Sequence, residues 1–77
     1  MKYNNKYIGN ICRAFRNYCG YFQSEVAEEL CCSRENISSF ENGRNNNAII
    51  LMWYVEHGLK EFLDEYADVV IEELKEV

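Results

Sequence analysis

The chain has no proline, a single histidine and no apolar run longer than Ala48–Val55. Each shortage excludes something. Without proline there is no rigid extended linker and no forced break inside a helix. The apolar run falls far short of the roughly 18 residues a membrane span needs. Met1–Asn10 is polar, without the apolar core of a secretory leader. A soluble, cytoplasmic chain with no membrane contact is expected. With His57 alone and no C-x-x-C, no zinc-ligand spacing exists. No phosphate-cradling glycine loop and no Ser/His/Asp or Cys/His arrangement occurs either, so an enzyme, a cofactor and a metal are all unexpected.

Acid is missing from one end. No Asp or Glu precedes Gln23, whereas Lys2, Lys6, Arg13 and Arg16 do. The net charge is −5, and residues 58–77 carry all of it with two lysines and seven acids. Acidity is therefore a property of the C-terminal segment, and the rest of the chain is neutral. Neutrality is a weak starting point for DNA, because phosphate neutralisation supplies most non-specific affinity.

Four cysteines are present. Cys31 and Cys32 are neighbours, which strains a bond between them. Cys12 and Cys19 fall on one face of a helix, roughly 10 Å apart along its axis, too far for a bridge. Buried free thiols are expected, since cysteine packs as a small hydrophobe.

Seventy-seven residues make one domain with a thin core. Its apolar fraction of 48 % is enough to fold and leaves some surface for self-association. The periodicity predicts five helices. The first spans about Tyr7–Cys19, with Ile8, Ile11, Cys12 and Phe15 on one face and Gly20 as its stop. The second, about Gln23–Leu30, turns Val26, Ala27 and Leu30 inward. Phe22 stands at its cap position instead of Ser, Thr, Asp or Asn, which costs about 1 kcal/mol. Ser33 caps the third, about Arg34–Asn42, and Gly43 follows it. The fourth, about Ala48–His57, is apolar nearly all round. The fifth, about Lys60–Glu76, has an apolar stripe opposite its acids.

Residues 23–43 place Ala27 where two short helices must touch and Ile37 and Phe40 where the later one must bury itself. With Arg16, Gln23, Ser33 and the run Glu41-Asn42-Gly43-Arg44, the chain resembles the lambda-repressor-like (Cro/XRE-type) helix-turn-helix family over about residues 7–59. The resemblance implies an all-α, compact five-helix bundle. The apolar stripe of the amphipathic acidic C-terminal helix, 60–77, marks it for dimerisation, and the resemblance makes 1–59 a helix-turn-helix DNA-binding domain. It pairs Arg16 with Glu41 inside the fold; in the alternative, Glu41 is solvated and Arg16 meets DNA phosphate. Base contacts fall to Arg34, Glu35, Ser38 and Ser39, and backbone contacts to Gln23, Ser24, Asn42, Arg44, Asn45 and Asn46. Gln23 could instead brace the first recognition residue. Where the family usually has a turn glycine at positive φ, this chain has Cys31.

Two functions compete at this point. One is a small sequence-specific transcriptional regulator of the phage or mobile-element type. It would read double-stranded DNA as a homodimer through Trp53, Tyr54, Phe62, Tyr66 and Val70. The same stripe could instead close the monomer's own core. The rival is a protein-interaction module, such as an antitoxin or a phage inhibitor of a host nucleic-acid enzyme, whose acidic surface attracts a basic partner.

Overall fold

Asn4 opens the first helix: its side-chain oxygen accepts from the Tyr7 backbone N–H at 2.9 Å. In the computed structural model, which describes residues 4–66, this helix, α1, runs Asn5–Cys19. The cap supplies an acceptor that the first turn lacks, so α1 starts two residues before the apolar periodicity begins. Next come α2 (Gln23–Leu30), α3 (Arg34–Glu41) and α4 (Ala48–Glu56). Residues 59–66 are helical again and form α5. The ends of α3 and α4 fall one residue earlier than the periodicity places them, ordinary fraying at a helix end. The chain is an all-α bundle with no strand among the described residues. The remainder of the expected fifth helix, including Val70, lies outside the described residues.

Caps fix the other starts. Ser33 Oγ accepts from the Asn36 N–H at 3.2 Å, and Asn47 Oδ1 accepts from Ile49 and Ile50 at 2.9 and 3.3 Å. The phenyl ring of Phe22 has no acceptor to offer α2. Instead its backbone N–H donates to Glu25 Oε1 at 2.8 Å, the reciprocal half of a capping box. The start of α2 is thus less bare than residue type alone implies.

Glycine sets how closely α1 meets α3. A Cβ on Gly9 would lie 2.4 Å from the Glu41 carbonyl oxygen and 2.6 Å from that of Phe40. Gly43, at φ 78°, lets the chain leaving α3 pass Lys6, whose Cα would lie 2.5 Å from an added Cβ.

The core gathers Ile11, Cys12 and Phe15 from α1, Val26 and Ala27 from α2, and Ile37 and Phe40 from α3. Ile50, Trp53 and Tyr54 of α4 and Leu59 and Phe62 of α5 complete it. Phe62 sets its ring edge-on to Phe15 at 5.4 Å. Leu59 and Phe62 share one core, so no packing boundary falls at 59/60.

Three expected dimer anchors are corrected here. Trp53, Tyr54 and Phe62 are 4 %, 0 % and 7 % exposed, out of a second copy's reach. Large aromatic areas gain most from burial, and here each polar tip finds a partner inside the chain. Tyr66 is half-buried against Tyr18 and Phe62.

The cysteines are corrected as well. All four are free, but only Cys12 is buried; Cys19 and Cys31 are exposed and Cys32 is half-buried. Cys19 ends α1 and Cys31 caps α2, positions the apolar faces do not cover. Burial, reinforced by the nearby Glu41 charge, pushes the Cys12 thiol up to about 12, so it packs as an inert hydrophobe. Cys31 adopts φ 55° and is the one non-glycine residue at positive φ among those described. That conformation costs roughly 1 kcal/mol.

Candidate nucleic-acid interface

The turn Cys31-Cys32-Ser33 joins α2 to α3. It closes where the Cys32 N–H donates to the Ala27 carbonyl at 3.0 Å. Ala27 is buried in this corner, and its small side chain lets the two helices approach. On α3, Ile37, Phe40 and Glu41 form the buried edge. The opposite side presents Arg34 and Glu35 exposed and Ser38 and Ser39 half-buried. One face of this eight-residue rod is held and the other is open.

Glu41 does much of the holding. It is 1 % exposed and accepts four hydrogen bonds. Arg16 donates from Nε to Oε2 at 2.7 Å and from Nη2 to Oε1 at 3.0 Å. Gln23 Nε2 donates to Oε1 at 3.0 Å, and the Tyr54 hydroxyl to Oε2 at 2.5 Å. Arg16 also donates from Nη1 to the Tyr21 carbonyl at 2.8 Å. A buried charge survives only when paired and fully hydrogen-bonded. This one is, and no buried side-chain polar atom among the described residues lacks a partner. The buried pair replaces the alternative of a solvated Glu41.

Burial alone would raise the proton affinity of the Glu41 carboxyl. The hydrogen bonds from Arg16, Tyr54 and Gln23 outweigh it and hold the group below its ordinary value of 4.5. The same contacts raise Arg16, chiefly the bond to Glu41, against the opposing effect of burial. Burial and Glu41 together raise Tyr54, which stays a donor. A carboxyl depressed in the fold stabilises it above the unfolded-state value, and that contribution disappears as pH falls through the lower folded value. Thermal midpoints should therefore fall as the pH is taken from neutral to below the ordinary carboxyl value of 4.5. A midpoint indifferent to acid across that range would remove Glu41 from this role.

The buried carboxylate is linked to the open face by one side chain. Glu41 can only accept, so it draws the Gln23 amide nitrogen inward, and the amide oxygen accepts from Arg34 Nη1 at 3.2 Å. Gln23 is thus a brace for Arg34. Arg34 also lies 3.9 Å from Glu35, with both side chains well exposed, a contact worth little. Arg16, Phe22, Gln23, Ser24 and Arg34 line an open cleft at the start of α2. Arg16 is committed to Glu41 and the Tyr21 carbonyl, so Arg34, beside the start of α2, is the guanidinium this cleft can offer an anion.

The remaining candidates divide. Asn42 folds back, its Nδ2 donating to the Ser38 carbonyl at 2.9 Å and to Ser38 Oγ at 3.3 Å. Asn45 Oδ1 accepts from the Asn47 N–H at 3.1 Å, which is turn chemistry. Arg44 and Asn46 are exposed beyond the end of α3.

Two groupings were invisible in the sequence. Tyr54 meets Glu41 from thirteen residues away, a separation no local pattern encodes. Trp53 Nε1 donates to Glu29 at 3.1 Å, and the His57 ring stacks on Trp53 at 3.8 Å with Nε2 3.6 Å from the same carboxylate. This cluster fastens the end of α4 to α2.

No family model matches the chain, and neither a curated protein nor a solved structure does. Among the described residues no helix is long and apolar enough to cross a membrane.

Proposed function

We propose that the chain is a small sequence-specific DNA-binding regulator of the lambda-repressor-like helix-turn-helix type, of the kind carried by phages and mobile elements. The carrying observation is the two-sided character of α3. Ile37, Phe40 and Glu41 fasten one edge, while Arg34 and Glu35 stand clear on the other. In this reading α3 enters the major groove, Arg34 offers a two-pronged contact to guanine, and Ser38 and Ser39 add contacts of low base preference. The cleft at the start of α2, Arg44 and Asn46 take phosphates. Two copies related by a twofold axis read a palindrome.

Selection of duplexes from a random pool at moderate salt tests this. The expected product is a palindromic site whose affinity falls steeply with salt. Arg34→Ala should weaken that site by roughly tenfold to a hundredfold and relax the preference at one base pair of each half-site. A wild-type protein that enriches no duplex would end the proposal.

The exposed acids favour a second reading. Glu25, Glu28 and Glu29 on α2 and Glu56, Glu61, Asp64 and Glu65 farther on are all exposed. A surface of that sign repels DNA and steers cationic proteins. As an interaction module, an antitoxin or an inhibitor of a nucleic-acid enzyme, the chain would bind no duplex tighter than about millimolar. It would instead retain a basic protein partner, and lose it when those acids are neutralised.

A further inference from the structure

Among the described residues, the core takes up only one side of α4. Ile50, Trp53 and Tyr54 are buried, whereas Ile49, Met52 and Val55 are 67 %, 56 % and 52 % exposed. Side chains three apart on a helix share a side, so these three form a stripe. No charged residue occurs from 45 to 55. The charges α4 does carry are misplaced for a lone helix. Its first turn has no acid, its last turn has no base, and Glu56 closes it. A carboxylate at that end opposes the helix's own dipole.

We infer that this stripe seats a second copy of the chain, the two α4 helices packing antiparallel about a twofold axis at Met52. The apolar pattern is its own complement. Ile49 and Val55 stand three residues to either side of Met52. A twofold axis there sets Ile49 against the other copy's Val55 and Met52 against itself. The thioether adapts its shape to such a self-contact. Antiparallel packing also carries each Glu56 to the start of the other copy's α4, where negative charge is stabilising. Parallel packing would crowd the two carboxylates together. A basic partner gains no charge complement along the uncharged stretch, which favours a second copy as the occupant. Three side chains fall short of the roughly 800 Å² per partner of a standard interface, so the pair is weak and separates on dilution. It supplies the twofold partner named under the proposed function, but it stands on α4 alone and not on DNA binding.

Sedimentation equilibrium of the full chain should show monomer passing to dimer between about 10 µM and about 1 mM. Met52→Lys should raise the dissociation constant by about 30-fold or more. Because Met52 is exposed in the monomer, helix content and thermal midpoint should not move at concentrations where both proteins are monomeric. Methyl contacts between differently labelled copies should join Ile49 to Val55. A monomer at the highest concentration, a dimer indifferent to Met52→Lys, or contacts joining Ile49 to Ile49 would each overturn the inference. A monomer that still selects a duplex sinks the interface and spares the DNA reading; a dimer that selects none does the reverse.

Discussion

Arg16→Met should cost about 3–5 kcal/mol, because it leaves the Glu41 carboxylate buried without its cation. A chain of 77 residues has a total of roughly 4–12 kcal/mol to lose. The loss is a large part of that total, so the variant's chemical denaturation midpoint should fall well below the parent's. The loss does not measure what the pair contributes, since desolvating two charges offsets much of their attraction. Replacing both partners, Arg16→Met with Glu41→Leu, should restore part of the stability. It should not restore all of it, because the Tyr54 hydroxyl and the Gln23 amide lose their shared acceptor. A single Arg16→Met variant within 1 kcal/mol of the parent in urea titration, about the worth of an exposed pair, would show that the pair does not hold α1 to α3.

The second large effect belongs to a residue with no side chain. Gly9→Ala should destabilise the fold by about 3 kcal/mol, although alanine is the better helix former by about 1 kcal/mol. The added methyl would meet two carbonyl oxygens of α3 at 2.4 and 2.6 Å. Backbone atoms cannot swing aside as a flexible side chain can, so the two helices would have to part. Parting them displaces Glu41, and the Arg16 and Gln23 contacts loosen with it. Denaturant titration of Gly9→Ala beside the parent reads this directly. An unchanged or improved midpoint would mean that α1 and α3 do not approach as closely as described.

Much of this fold is written in local pattern. Ser33 announces α3, and the spacing of Ile37, Phe40 and Glu41 marks the edge it buries. Ala27 marks the corner where two backbones come close. These features are legible because each depends on neighbours within one or two turns. Legibility fails where the deciding partner is distant. The fourth helix is apolar in every direction, so periodicity cannot say which side is covered, and size alone sends the aromatics to a dimer surface. Inside the chain, Trp53 and Tyr54 win burial because Glu29 and Glu41 receive their polar tips. The smaller Ile49, Met52 and Val55 are left outside. Gly9 carries a readable signal too: a glycine inside a helix forfeits stability unless something must come close to it. At the candidate site, the types and positions of Arg34, Glu35, Ser38 and Ser39 are plain in the sequence. The inward turn of the Gln23 amide is not, because Glu41 decides it from eighteen residues away.

One carboxylate receives donors from α1, α2 and α4 while itself belonging to α3. Four helices thus share a single knot, and none of them can leave without undoing it for the rest. Melting or swivelling α3 by itself would strip the buried carboxylate of those donors. A molecule tied in this fashion meets whatever it recognises as a finished shape, and any adjustment on contact falls to the partner and to the outermost side chains.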